Sequence, residues 1–261
     1  MLVEIRCMKM RKVLLILLTL FIVLITSCFD DDNDSSSTVV DDESAEGIYS
    51  FLNSVFLSFK DSSNSPRQLP VDVVIANTGE ARFLFIQQNI QFVGNVNVKG
   101  GKLTASLKPF SGGDALDSIV ELNGVVVTKD NIQGDYTWGE DFGRFVLNYS
   151  PLYEQSSSLS KLEGMWTFNE ASSGGTIFTI TITVDPDGTL FGSNTEGCIY
   201  NGKFGIIDSR YNVYSMSIEL SLCGDLNGEY EGLAFLSGDL LAYNVSNDNK
   251  SIRGGVQALQ Q

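Results

Sequence analysis

The chain contains no histidine, only five prolines and four cysteines, and its 17 lysines and arginines are set against 32 aspartates and glutamates. Without histidine there is no side chain that titrates near neutrality unperturbed, no imidazole ligand for a metal, and no Ser-His or Cys-His catalytic pair. The shortage of bases gives a formal net charge of −15. A surface this acidic, with no basic cluster to offset it, repels phosphate backbones and argues against nucleic acid as a partner. The same acidity keeps a surface well solvated. An uninterrupted apolar run of the roughly 20 residues needed for a membrane-crossing helix is also missing. The longest candidate, residues 13–25, is shorter and contains Thr19.

What is present begins with that run. A short basic stretch, MKMRK at residues 8–12, precedes it, and the small polar residues Thr26 and Ser27 follow. This is the three-part pattern of a secretory signal, with Met8 serving as well as Met1 for its start. Removing residues 1–27 takes away four bases (Arg6, Lys9, Arg11, Lys12) and one acid (Glu4), so the net charge moves from −15 to −18. After Cys28 the composition switches to Asp and Ser, with acids at Asp30, Asp31, Asp32 and Asp34. Residues 28–45 have little apolar surface to bury, and the expectation is a disordered, self-repelling tether of about 3.3–3.6 Å per residue.

The junction Ile25-Thr26-Ser27-Cys28 resembles the lipobox of bacterial lipoproteins. The resemblance implies cleavage before Cys28 and acylation of its thiol and new amino group. Several acyl chains would hold the protein firmly on a membrane, since a single chain is marginal. Phe29 rather than aspartate follows the cysteine, which in the Gram-negative members implies sorting to the outer membrane, on its periplasmic or its surface-exposed side.

The remainder reads as all-β. Short β-branched and aromatic runs alternate with clusters of Gly, Asn, Asp and Ser. In residues 177–184, Ile177, Thr179, Thr181 and Thr183 fall on one face and Phe178, Ile180, Ile182 and Val184 on the other. Asp185-Pro186-Asp187-Gly188 then supplies turn chemistry; it lacks the ligand spacing of a calcium loop.

Five features recur in the same order in two halves of the chain. Glu46-Gly47-Ile48-Tyr49-Ser50-Phe51 matches Glu163-Gly164-Met165-Trp166-Thr167-Phe168, and turn glycines Gly79 and Gly188 follow. Phe92-Val93-Gly94 then matches Tyr200-Asn201-Gly202, IVELN from Ile119 matches SIELS from Ser217, and Gly134-Asp135-Tyr136 matches Gly228-Glu229-Tyr230. The expectation is a duplication: a first module over 46–151, a polar linker over 152–161 and a second module over 162–261, each of ordinary domain size. Residues 61–70 and 108–118 are extra loops of the first module, where binding function tends to be added.

Each module can be a small antiparallel barrel or a sandwich, and a meander-type barrel is preferred because closure removes exposed edges. Gly164-Met165-Trp166 resembles the G-x-W that opens the first strand of lipocalins and related calycins, and Gly47-Ile48-Tyr49 is a degenerate copy. On this reading Trp166 and Tyr49 plug their barrels.

Cys198 and Cys223 flank residues 208–212, read as a turn, and folding back about Arg210 and Tyr211 sets the two cysteines opposite one another. Outside the cytoplasm they should form a disulfide, closing a loop worth about 3 kcal/mol on chain entropy. Buried free thiols are the alternative. The same symmetric register, however, points the apolar stripe Tyr214, Met216, Ile218, Leu220, Leu222 away from Tyr200, Phe204 and Ile206. A bulge at Gly202 or Gly205 would reconcile them.

Carboxylates are the remaining candidates for catalysis. Asp135, Glu140 and Asp141 gather near Trp138, but their glycine-rich setting reads as a solvated hairpin rather than the two facing acids of a glycosidase. Ser111-Gly112-Gly113-Asp114 lacks the lysine and helix of a phosphate loop. The sequons at Asn148 and Asn244 carry little weight in a bacterial product. The reading is therefore a non-catalytic outer-membrane lipoprotein, without cofactor or metal, that binds a protein, glycan or lipid partner. The alternatives are a lipocalin-like carrier of a small apolar ligand and a carboxylate-based carbohydrate-active enzyme. The interior of each barrel discriminates among these three.

Overall fold

Alternation between buried and exposed side chains runs through the computed structural model. It describes residues 43–50, 52–59, 66–171 and 177–258. The signal peptide, Cys28 and the tether up to residue 42 lie outside the described residues, as does Phe51. Among the described residues the regular structure is β, apart from short 3-10 turns.

The first module comprises β1 (Gly47–Tyr49), β2 (Val55–Ser58), β3 (Arg67–Pro70), β4 (Asp72–Ile75), β5 (Glu80–Phe85), β6 (Ile90–Lys99), β7 (Lys102–Ser111), β8 (Asp114–Ala115), β9 (Val120–Val127), β10 (Asn131–Trp138) and β11 (Asp141–Ser150). Its sheet runs β1-β4-β5-β6-β7-β9-β10-β11 and curls until β1 meets β11, with Ile48 opposite Ser150. β2 also pairs with β11, but Val55 faces Val146, so β1 and β2 act as one strand interrupted by a step out of the ladder. β3 and β4 divide in the same way, pairing with β2 and β1 respectively.

The second module is a closed barrel of eight antiparallel strands. They are β12 (Gly164–Ala171), β13 (Ile177–Val184), β14 (Thr189–Asn194), β15 (Ile199–Ile206), β16 (Tyr214–Ser221), β17 (Gly228–Ser237), β18 (Leu240–Ser246) and β19 (Ser251–Ala258). Among the described residues, β12 and β19 share the pairs Trp166–Ala258 and Thr167–Gln257, and the other neighbours are zipped over five or more pairs.

The two modules repeat in detail. Tyr49 and Trp166 are both buried in their cores, and each donates to the carbonyl four residues earlier: Tyr49 Oη to Ala45 O at 2.9 Å and Trp166 Nε1 to Leu162 O at 2.8 Å. Gly79 and Gly188 turn with φ of +88° and +86°, and each carbonyl accepts a backbone N–H at 2.9 Å, from Val96 and Phe204. Phe92 and Tyr200 sit on the fourth strand of their rings. The last two of the five features do not correspond. IVELN lies on β9 and SIELS on β16, and the Gly-acid-Tyr triplets lie on β10 and β17, one strand apart in ring order. An inward aromatic flanked by an outward acid suits any half-buried strand, so this pattern carries no strand identity.

The cysteine conflict resolves at a different place from the one expected. β15 and β16 pair without a bulge, Tyr200 opposite Leu220 and Phe204 opposite Met216, so both apolar faces point inward. The extra residue is Leu222, in the left-handed region at φ 59° and 72% exposed; it ends the stripe at Leu220 and lets Cys223 reach Cys198. The disulfide is formed, with Cα atoms 4.6 Å apart.

Candidate functional site

The two interiors differ. In the first module the core is packed with rings: Phe56 lies within 4.9–6.2 Å of the centroids of Phe83, Phe85, Phe92, Tyr136 and Phe145. The space left there is about 20 Å³, room for about one water. Burial pushes the Tyr136 hydroxyl up to about 12. The acids singled out near it belong to the β10–β11 hairpin, whose loop is Gly139-Glu140. Asp141 accepts from Ser58 Oγ at 2.7 Å and Tyr136 Oη at 3.4 Å, and Trp138 Nε1 donates to Ser118 Oγ.

In the second module, Trp166, Val184, Leu190, Phe204 and Tyr214 fill the end at which β12 starts. Among the described side chains, the other half is open. Phe168, Ile180, Tyr200, Leu220 and Ile252 line it, and the Cys198–Cys223 disulfide borders its outer end. The hollow is one part of a cavity of about 1360 Å³ that continues into the cleft between the modules.

That cleft is built from outward faces. Ile48, Val74 and Ala76 of the first module bury themselves against Val213 and Leu233 of the second, together with Tyr153. Tyr153 comes from the 3-10 turn Pro151–Glu154 between the modules and stacks on Tyr211 at 4.6 Å. Asn212, 2% exposed, ties the same region together, with Nδ2 donating to Leu152 O and Leu236 O. Two runs in the sequence carried the signal for this packing: residues 71–76 (VDVVIA) and 232–236 (GLAFL) are nearly continuously apolar, the mark of strands covered on both faces.

A polar line crosses the cleft beside the apolar contacts. Arg82, 7% exposed, is paired with Glu80 at 2.6 Å and donates to Ser246 Oγ and Glu231 O across the junction. Gln91 Oε1 accepts from both Asn244 Nδ2 and Ser251 Oγ at 2.6 Å. Asn244 Oδ1 is buried with no hydrogen-bond partner among the described residues, an arrangement that costs roughly 1–3 kcal/mol. Sequence reading found Asn244 only as a sequon and did not find Arg82 or Gln91, because polar residues on an outward face look the same whether they meet water or another module.

The second extra loop has a structural task. Ala115 N donates to Asn249 O, Ser251 N to Gly113 O, Lys108 Nζ to Asp248 O, and Lys250 Nζ to Asp114 Oδ1. Gly112-Gly113-Asp114 thus clasps the β18–β19 turn of the second barrel. Asp185-Pro186-Asp187-Gly188 is a hairpin turn, with Asp187 accepting from Thr189 N and Oγ1. Asn148, the other sequon, donates to Asn53 O.

No family model matches the chain, and no curated protein sequence matches it.

Proposed function

We propose that this protein is a non-catalytic, lipid-anchored carrier of a large apolar ligand, held at the outer membrane through Cys28 and an acidic tether. The observation that carries the reading is the cavity of about 1360 Å³, larger than the 300–1,000 Å³ of ordinary small-molecule sites. Its barrel half is lined by aliphatic and aromatic side chains, the surface that favours hydrocarbon over water. The filled first barrel then acts as the wall against which the second module builds its cleft. The absence of histidine and the placement of Asp135, Glu140 and Asp141 on a single hairpin fit a binding protein better than an acid–base enzyme.

Titration with the neutral fluorophore N-phenyl-1-naphthylamine tests this. Saturable enhancement at about one probe per chain is expected, reduced at least tenfold in affinity by Leu220→Trp, which fills the barrel half. A signal that never saturates in the folded protein refutes the carrier reading.

A further inference from the structure

Leu222 is ill suited to the backbone that holds it. Its φ of 59° lies in the left-handed region, where an L side chain is strained and glycine or asparagine is the usual occupant. Its side chain is 72% exposed, so burial does not offset the strain. Neither local conformation nor the core selects a leucine here, and a bulge is a device for re-aiming one side chain. Two more aliphatic side chains stand exposed nearby, Leu226 at 41% and Ile199 at 37%. Ile199 follows Cys198, and Leu222 and Leu226 flank Cys223, so the disulfide gathers all three. Both turns are braced: Asn194 Oδ1 accepts from Cys198 N at 2.9 Å and Asn227 Oδ1 from Cys223 N at 2.7 Å. Grouped exposed apolar side chains, unlike scattered ones, mark an interaction surface. The charged residues of the turns 194–198 and 222–227 are the exposed acids Glu196 and Asp225, so this lip suits an uncharged surface rather than an anionic one.

The length of chain ahead of the first module decides what can cover the lip. Glu43 Oε2 occupies the place that a Cβ on Gly101 would take, and Ser44 N donates to Thr128 Oγ1 at 3.1 Å, so the chain enters beside the start of β7. The other end of β7 carries the Gly112-Gly113-Asp114 turn that clasps the β18–β19 turn. Asn247 of that turn donates to Glu229 O at 3.2 Å, two residues past the lip turn. The clasp and the lip therefore share one end of the second barrel. β7 has ten residues, about 33 Å of strand, or about 25 Å of height at a barrel tilt of about 35–45°. From Cys28 to Glu43 the chain reaches about 50 Å at 3.3–3.6 Å per residue. A membrane that holds an acyl anchor at Cys28 is thus within reach of the lip. Tethering presents that surface at an effective concentration of about millimolar, which favours a contact too weak to form from free solution.

We infer that Ile199, Leu222 and Leu226 form a lip that dips into the uncharged lipid surface holding the acyl anchor. This rests on the anchor in the proposed function and not on the cavity. The test uses the protein purified from membranes and reconstituted into phosphatidylcholine vesicles, with and without dibrominated phosphatidylcholine. Leu226→Trp places a fluorophore on the lip, and Met165→Trp places one on an exposed residue at the opposite end of the barrel. The brominated lipid is expected to quench the emission added by Leu226→Trp at least twofold and to leave that added by Met165→Trp unchanged. Deleting residues 30–39, which cuts the reach to about 17 Å, is expected to abolish this quenching while the protein still floats with the vesicles. Leu222→Asn, which suits the left-handed backbone, is expected to halve it without lowering Tm. Phosphatidylglycerol in place of half the lipid is expected to weaken it; equal quenching there overturns the choice of an uncharged surface. Hydrogen exchange on the unsubstituted protein is an independent readout, with residues 222–227 expected to be protected on vesicles relative to detergent. Equal quenching at both tryptophans, quenching that survives the deletion or Leu222→Asn, or no protection of 222–227 overturns the lip, while flotation still upholds the anchor. A dimer that Leu222→Asn dissociates assigns the lip to a second copy and overturns the lipid contact. Failure to float with the vesicles overturns anchor and lip together.

Discussion

Replacing Gly188 by alanine should destabilise the second barrel by about 2–3 kcal/mol, and more than the matching Gly79→Ala change destabilises the first module. Both glycines hold a left-handed φ, +86° at Gly188 and +88° at Gly79, where an L side chain costs about 1–2 kcal/mol. The difference lies in what a Cβ would meet. At Gly188 it would come within 2.6 Å of Phe204 O, and at Gly79 within 2.9 Å of Val96 O. Neither contact relaxes freely, because the residues that carry these carbonyls are held against the turns by their own N–H groups, Phe204 N donating to Gly188 O and Val96 N to Gly79 O at 2.9 Å. The tighter contact at Gly188 adds the loss of about one such hydrogen bond, near 1 kcal/mol, leaving about 1–2 kcal/mol for Gly79→Ala. Urea unfolding measures both, since each module holds one of the chain's two tryptophans, Trp138 and Trp166. Trp138→Phe and Trp166→Phe backgrounds isolate the two signals. A Gly188→Ala loss below about 0.5 kcal/mol, or a larger loss at Gly79, would refute the steric reasoning.

Three other outcomes are expected. The double change Cys198→Ala with Cys223→Ala opens a loop with a sequence separation of 25 and should cost about 3.5 kcal/mol on chain entropy; a loss under about 1 kcal/mol by Trp166 fluorescence would show that the strand ladder alone holds that end of the barrel. Burial, reinforced by the charge of Asp208, raises the Glu46 carboxyl above its ordinary 4.5. Its contribution is therefore present below the unfolded pKa and lost as pH rises through the folded one; Glu46→Gln should raise Tm at pH 7 and leave it unchanged at pH 4, and an equal change at both would contradict this. Cys28→Ser should release the protein from membrane fractions; full retention there would rule out lipid anchoring.

Much of the second barrel was legible because its signals are local. The alternation in residues 177–184 places Ile180, Ile182 and Val184 inside, and Asp185-Pro186-Asp187-Gly188 makes the turn that its chemistry predicts. Period-two patterning needs only the pleat of one strand to be correct. Pairings were less accessible. The Cys198–Cys223 bond was anticipated, but the residue that adjusts the register is Leu222, and nothing in a leucine announces a left-handed backbone. The matching of IVELN with SIELS failed for a related reason: strand composition reports half-burial, not position in a ring.

By itself the sequence determined that this is a histidine-free, acidic chain with a β body, a repeated opening motif around Tyr49 and Trp166, and two cysteines close enough to bond. Each follows from composition, from local patterning or, for the cysteines, from folding back about one predicted turn. The tertiary structure decided that rings fill the interior of the first module while half of the second barrel is open among the described side chains, and that outward faces of the two modules pack together. That outcome depends on how many rings converge from distant strands on one axis. It also depends on whether β12 and β19, the first and last strands of the second barrel, zip along their whole length. Side-chain volumes and ladder lengths of this kind are sums over the closed ring, and no single stretch of the chain contains them.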